Sequence, residues 1–125
     1  MIQNLGNYLI WSENYRALAD WYIEKLGFEV YGEINHPDDT GVSFKIGTGT
    51  SRLWIGQHSE VKGKNQDMHR HMINLNVDSV TQMYEELKAK GVRFLAEPFK
   101  APTFDKYFAT FYDLDDNLLQ IVGDK

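Results

Sequence analysis

Hydrophobic and polar residues follow two different periods along the first half of the chain. The segment 7–12 (NYLIWS) is rich in β-branched and aromatic residues and predicts a short strand. In the segment 14–27, apolar residues recur at helical spacing, which predicts an amphipathic helix capped by Asn14 or Ser12. Turn-forming residues then separate three predicted strands, FEVYGEI, GVSFKIG and SRLWIGQH. The first half is therefore predicted to be β-α-β-β-β.

The same order of elements returns after a polar stretch, 59–68, which predicts a linker. A strand is predicted at 71–77, and a helix follows at 79–91. Three further strands are predicted at VRFLAEPF, KYFATFYD and NLLQIVG. The two helix-to-strand joints match and align Gly27 with Gly91. We interpret residues 1–125 as a single α+β domain of two tandem modules, about 1–60 and about 69–125; an ordinary α+β domain with a coincidental repeat is the alternative.

Alternation in the strand at 71–77 assigns its two faces. Ile73, Leu75 and Val77 are expected to pack under the helices. The other face carries Met72, Asn74 and Asn76. Asparagine rarely occupies a dry core unless it is paired, so this second face is predicted to meet water or a ligand.

Composition narrows the class of protein. A chain of 125 residues is long enough to bury a core without disulfides or structural metals, and the absence of cysteine excludes thiol chemistry. A net charge of −5 argues against a nucleic-acid partner. No apolar run is long enough to span a membrane, and the first residues lack the pattern of a secretory signal, so a cytoplasmic location is expected.

Three motifs, in this order, resemble those of the vicinal oxygen chelate superfamily, which includes glyoxalase I, bleomycin-resistance proteins and extradiol dioxygenases. They are ADWYIEKLGFEV, similar to that group's FY-x3-LGF joint, NVDSVTQMYEELKAKGVRF, and DLDDN, similar to its DPDGN turn. The resemblance covers nearly the whole chain. It implies two β-α-β-β-β modules packed edge to edge, with eight strands in a curved mixed sheet around a cavity and the helices outside. It also implies a homodimer.

The chain departs from this family first in the turn and then at the metal ligands. In the turn, Asp116 replaces glycine, and because aspartate tolerates a left-handed backbone the turn is expected to survive. Metal-dependent members bind a divalent ion with His and Glu side chains from four strands. Carried over residue by residue, those positions are Asn7, Trp54 or Gly56, Met72 and Gln120. Amides and a thioether are weak ligands for hard ions, so we expect no tightly bound metal and no cofactor.

Histidines offer an alternative metal site. His69 and His71 share one face of a strand, and a bulge would bring His71 to the position of Met72. His58 is a further candidate ligand. On this alternative the protein would be a metal-dependent lyase, isomerase or dioxygenase. Solvent-facing histidines are the simpler interpretation, because a His-x-His pair without an acid is weak evidence for metal.

Strand parity predicts that the cavity implied by the resemblance is aromatic and rich in amides. The predicted ligand-binding residues are Asn7, Leu9, Trp11, Arg52, Trp54, His58, Met72, Asn74, Asn76, Tyr107 and Gln120. We expect Phe104, Tyr107 and Phe108, on the long connection FKAPTFDKYF, to form a lid or rim. This lining suits a small flat or amphiphilic organic molecule, held without chemistry. The alternatives are that the tryptophans only fill the core, or that the protein is an interaction scaffold.

Overall fold

The computed structural model describes all 125 residues as two compact units, Met1–Gly63 and Lys64–Lys125. In each unit the order of elements is β-α-β-β-β, and the four strands form one mixed sheet. The predicted α+β class and the two modules are confirmed, with the eight strands divided into two four-stranded sheets. None of the helices combines the length and the apolar content that crossing a membrane requires.

In unit 1, helix α1 is followed directly by a π-helical turn, Tyr22–Leu26. The elements are β1 Tyr8–Ser12, α1 Tyr15–Trp21, β2 Glu29–His36, β3 Asp39–Lys45 and β4 Arg52–Gln57. The strand order is β1-β4-β3-β2, with β1 parallel to β4. Of the two predicted caps, Asn14 is the one that caps α1, because its side chain accepts the Ala17 N–H at 3.2 Å. The turn ends at Gly27, in the left-handed region with φ of 67°.

The core of unit 1 lies between the helical segment and one face of the sheet. Tyr22 stacks on Phe44 of β3 with ring centroids 6.5 Å apart, and both side chains are fully buried. Leu53 and Ile55 of β4 have the same parity as Phe44 and are buried as well. Because side chains alternate along a strand, Trp54 lies on the opposite face. We call the face directed away from the helix the far face of a unit.

Unit 2 repeats this arrangement. Its elements are β5 Met72–Ser79, α2 Val80–Ala89, β6 Phe94–Lys100, β7 Tyr107–Tyr112 and β8 Leu118–Asp124. The strand order is β5-β8-β7-β6, with β5 parallel to β8. Ser79 caps α2 by accepting the Gln82 N–H at 3.2 Å, while the Gln82 side chain bonds Glu86. Gly91 is left-handed, with φ of 86°, as Gly27 is in unit 1.

An aromatic series identifies the helix face of unit 2. Tyr84 of α2 packs edge-on against Phe94 at 4.7 Å, and Phe94 packs against Phe111 of β7 at 5.4 Å. Ile73, Leu75 and Val77 are less exposed than the residues that alternate with them, which confirms the predicted parity of β5. The far face of unit 2 therefore carries Met72, Asn74 and Asn76.

The DLDDN turn between β7 and β8 is organised by Asp113. The buried carboxylate accepts the backbone N–H groups of Asp115 at 2.8 Å and Asn117 at 2.9 Å, and the Asn117 side-chain amide at 2.9 Å. Asp116 adopts the expected left-handed conformation with φ of 61°.

Asn65, in the predicted linker, donates from its side chain to Asn117 Oδ1 at 3.0 Å and from its backbone to the Asp115 carbonyl at 2.7 Å. The end of the linker is therefore part of unit 2.

Candidate functional site

Two glycines on neighbouring strands make room for Trp54 on the far face of unit 1. A Cβ at Gly41 would lie 2.5 Å from Trp54 Cζ2, and a Cβ at Gly56 would lie 2.3 Å from Trp54 Nε1. Trp54 is consequently only 9% exposed. Trp11 of β1 packs edge-on against it with centroids 6.5 Å apart and stays 37% exposed. Trp54 therefore packs over the backbone of both glycines and Trp11 over that of Gly56, and we call this backbone the glycine surface.

His58 continues this aromatic cluster just beyond β4. Its backbone N–H donates to the Ser12 carbonyl at 3.1 Å, which fixes the residue beside β1. Its ring packs edge-on against Trp11 at 5.4 Å. Nδ1 accepts the Glu60 N–H at 3.0 Å, so the neutral ring carries its proton on Nε2. The outer nitrogen of the imidazole is therefore a hydrogen-bond donor.

The remaining predicted residues of unit 1 lie around the indoles. Arg52 begins β4 and has the parity of Trp54. Its guanidinium lies over the ring of Tyr31 at 4.4 Å and donates to the Thr50 carbonyl at 3.0 Å, and it forms no salt bridge. Leu9 lies opposite Trp54 on β1 and is exposed, and the exposed Asn7 precedes this strand.

Gln120 is hydrogen-bonded on the far face of unit 2. Asn74 Nδ2 donates to Gln120 Oε1 at 2.9 Å, across the parallel pair formed by β5 and β8. Thr110 of β7 lies opposite Gln120 on its other side, so the three residues form a polar row across three strands. Met72 and Asn76 flank Asn74 along β5 on the same face. The structure thus brings together the predicted residues of this unit, except Tyr107.

Tyr107, the first residue of β7, lies on the helix face, because it has the same parity along the strand as the buried Phe111. Phe108, which follows it, lies on the far face. The Phe108 ring contacts Phe104 at 5.6 Å and Phe99 at 5.8 Å. Sequence reasoning missed Phe99 because β6 has irregular register just before it, which breaks the alternation. This aromatic group stands beside the polar row.

A surface cavity of about 340 Å³ lies where β5 leads into α2. Of the predicted residues only Asn76 lines it. The rest of its wall includes Asp78, Gln82, Met83 and Glu86. No sequence pattern signalled this cavity, because its wall combines residues from a strand end and a helix start.

The residues at the metal-ligand positions of the resembled family do not fit a divalent ion. In unit 2, Gln120 Oε1 already accepts a hydrogen bond from Asn74, and Met72 offers only a thioether. In unit 1, Asn7 offers a neutral amide. The indole nitrogen of Trp54 is a hydrogen-bond donor only, and Gly56 has no side chain. A neutral carbonyl oxygen supplies no charge to balance the ion.

The alternative histidine site gains no support from the geometry. His58 presents an N–H outward, while His69 and His71 are exposed residues before β5. No group of three or more His, Cys, Asp and Glu side chains is arranged to hold a metal ion anywhere in the chain.

Solved structures with the same fold cover nearly the whole chain. SMU.1112c matches with 23% identity and a TM-score of 0.81, over 98% of this chain and 99% of that one. A glyoxalase family protein from Enterococcus faecalis matches with 22% identity and a TM-score of 0.78, over 96% and 97%. TnmS3, an antibiotic binding protein from Streptomyces sp. CB03234, matches with 16% identity and a TM-score of 0.78, over 99% and 98%.

Sequence comparison gives the family. No curated protein matches the chain. The family described as the glyoxalase/bleomycin resistance protein/dioxygenase superfamily matches residues 4–121, nearly the full length. The resemblance carried by the three motifs is thereby confirmed. The chain belongs to the glyoxalase/bleomycin resistance protein/dioxygenase superfamily.

Proposed function

We propose that this protein binds small planar organic molecules on the far faces of its sheets and sequesters them without chemical change. The observation that carries the proposal is the pair Trp11 and Trp54 on the glycine surface of Gly41 and Gly56. Trp11 keeps more than a third of its surface exposed. Indole rings bind flat molecules by stacking and attract cations to their faces.

Core packing alone does not account for these tryptophans. The core of unit 1 is built on the opposite face, by Tyr22 and Phe44. Glycine inside a strand weakens it and marks a place where another group approaches the backbone closely. Here that group is the indole of Trp54, which packs edge-to-face with Trp11. The arrangement suits a rigid aromatic surface for a ligand.

The chemistry of the predicted residues favours binding over catalysis. Among them, His58 is the one imidazole, and none is a carboxylate. General acid–base catalysis needs a titrating group within reach of the proton that it transfers. Arg52, which forms no salt bridge, supports binding of a ligand that carries an anionic group at the edge of this surface.

The family supports a binding role. It includes bleomycin-resistance proteins by name, and the structurally similar TnmS3 is described as an antibiotic binding protein. At 16% identity that likeness shows the fold alone.

We also propose that the protein forms a homodimer. The edge strand β2 exposes Val30, Tyr31 and Ile34. An edge strand with exposed apolar side chains is prone to association unless a partner covers it. Light scattering coupled to size exclusion should give twice the chain mass of 14.5 kDa, and a mass of one chain at micromolar concentration would refute the dimer.

The three tryptophans provide the test of ligand binding. A panel of planar aromatic amines, acids and amides is titrated while tryptophan emission and heat are recorded. Ligands that bind should quench the emission, and Trp11→Leu should weaken binding by about tenfold, the loss of one stacking contact. Trp21→Leu, on α1, is the matched control and should bind as the wild type does. No quenching and no heat across the panel would refute the proposal.

A further inference from the structure

The Asn74–Gln120 pair leaves unused hydrogen-bonding groups of both kinds. The single bond from Asn74 Nδ2 to Gln120 Oε1 is the one hydrogen bond that either side chain makes. An amide has two N–H donors and a carbonyl that accepts twice. The Gln120 Nε2 donors and the Asn74 Oδ1 acceptor therefore remain available on the far face of unit 2. If Gln120 Nε2 instead donated to Asn74 Oδ1, the pair would still have unused N–H donors and one unused carbonyl acceptor.

Within the sheet of unit 2, no charged side chain adjoins this pair. Its neighbours on the far face, Thr110, Met72 and Asn76, are neutral. The nearest charged positions along the strands are Asp78 on β5 and Asp124 on β8, each four residues away or about 13 Å. That distance exceeds the screening length of about 8 Å at physiological salt. Asp124 is moreover paired with Lys106 at 2.8 Å.

An aromatic wall stands next to the pair. Phe108 precedes Thr110 by two residues on β7, a separation of about 7 Å along the strand. Phe108 contacts both Phe99 and Phe104, which are exposed. A flat ring held against these phenylalanines would place a polar substituent at the amides.

From this juxtaposition we infer that the ligand of the far face of unit 2 is an uncharged planar molecule with a carboxamide, lactam or imide group. Its carbonyl accepts from Gln120 Nε2, and its N–H donates to Asn74 Oδ1. A carboxylate has no donor for Asn74, and an ammonium has no acceptor for Gln120. A charged group would also lose hydration on this face without gaining a partner charge. The inference rests on the proposed function, since it names the ligand class of the same protein.

Three probes that share one ring system test the ligand class. They are 2-naphthamide, 2-naphthoate and 2-naphthylmethylammonium, titrated by calorimetry into a Trp11→Leu/Arg52→Gln protein, in which the surface of unit 1 that would favour an ion is removed. We expect the amide to bind about tenfold more tightly than either ion, the effect of one net hydrogen bond. Equal affinities, or a preference for either ion, would overturn the inference and leave the proposed function standing.

Variants identify the residues that set the preference. Gln120→Glu keeps the size of the side chain but replaces its N–H donors by a carboxylate, so the preference should shift to 2-naphthylmethylammonium. Replacing both amides in Asn74→Leu/Gln120→Leu should abolish the preference for 2-naphthamide, and Asn35→Leu on β2 of unit 1 should keep it. Circular dichroism verifies that each variant is folded. An unchanged order of affinities in a folded Gln120→Glu protein would overturn the inference.

The two proposals fail in different ways. If the naphthyl probes do not bind while other planar molecules of the tryptophan panel do, the ligand class is wrong and the binding function holds. If no planar molecule binds at all, both proposals are wrong.

Discussion

The indole nitrogen of Trp54 occupies the space into which any side chain at position 56 would grow: a Cβ at Gly56 would lie 2.3 Å from Trp54 Nε1 and 2.6 Å from Trp11 Cζ3. Because both neighbours are aromatic rings in a packed cluster, Gly56→Ala must displace them. We expect a loss of about 1–3 kcal/mol in the free energy of unfolding, the usual cost of overpacking. Urea denaturation measures it, and the tryptophan emission should shift in the folded state.

The same sheet offers a matched control for this substitution. Gly32 on β2 has no atom within 4 Å of the position that a Cβ would occupy, so Gly32→Ala should change stability by less than about 0.5 kcal/mol. Gly56→Ala should also weaken planar ligands, and Gly32→Ala should not. Equal stability and emission for the two variants would show that Gly56 does not position the indoles.

The Asp113 carboxylate should be the main support of the turn between β7 and β8. It is buried and accepts three hydrogen bonds from Asp115 and Asn117. Asp113→Ala leaves these donors without their acceptor, so we expect a loss of about 3 kcal/mol in the free energy of unfolding. Asp113→Asn, which keeps one carbonyl oxygen, should lose less.

A second aspartate tests whether burial and hydrogen bonding cause this loss. Asp105 is exposed and reaches only Lys100, at 3.7 Å. Asp105→Ala should change the free energy of unfolding by less than about 0.5 kcal/mol. Thermal or urea denaturation compares the two, and a loss for Asp105→Ala as large as that for Asp113→Ala would contradict the assignment.

The local sequence pattern was sufficient to predict the two modules, because each helix and strand has its own spacing of apolar residues and each helix has its own N-cap. Parity also placed Asn74 and Gln120 on the correct face, since alternation is fixed within a single strand. Their hydrogen bond was not predictable, because it joins residues 46 positions apart and depends on the register of two strands. Tyr107 was predicted at a lid or rim of the cavity, but it begins β7 and has the parity of the buried Phe111, which directs it to the helix face.

Two other features of the structure, the position of Phe99 and the contacts of Asn65, were not predictable from the sequence. The register shifts in β6 interrupt alternation, so the far-face position of Phe99 has no sequence signature. The bonds from Asn65 to Asp115 and Asn117 join a polar stretch to a distant turn. Polar composition indicates a linker, but it does not show which of its side chains find partners.

Stability should fall at alkaline pH. The hydrogen bond from Lys106 to Asp124 raises the pKa of the lysine, and burial raises the pKa of Tyr8. A raised folded pKa of Lys106 gives stability that is complete below its unfolded pKa of about 10.4 and is lost as the pH rises through the folded value. Ionising Tyr8 is opposed in the folded state, so its effect has the same sign.

Denaturation between about pH 8 and about pH 11 measures this dependence. Lys106→Gln and Tyr8→Phe should each make the decline shallower, because each removes one group whose proton affinity differs between the folded and unfolded states. Lys64→Gln is the control, since it removes an exposed lysine for which no salt bridge is seen. If the free energy of unfolding falls with pH as steeply in both variants as in the wild type, groups other than Lys106 and Tyr8 cause the loss.

Divalent metal should neither stabilise the protein nor be required for ligand binding. The candidate ligand positions offer the Asn7 amide, the Met72 thioether and the Gln120 carbonyl, and that carbonyl is already hydrogen-bonded to Asn74. A metal present at 100 times its dissociation constant would add about 2.7 kcal/mol to the stability of the folded state. Melting temperature should therefore stay constant when Mn²⁺, Ni²⁺ or Zn²⁺ is added and when EDTA is added. Metal analysis that finds one ion per chain, together with a stabilisation that His71→Ala removes, would instead favour the histidine site and a metal-dependent enzyme.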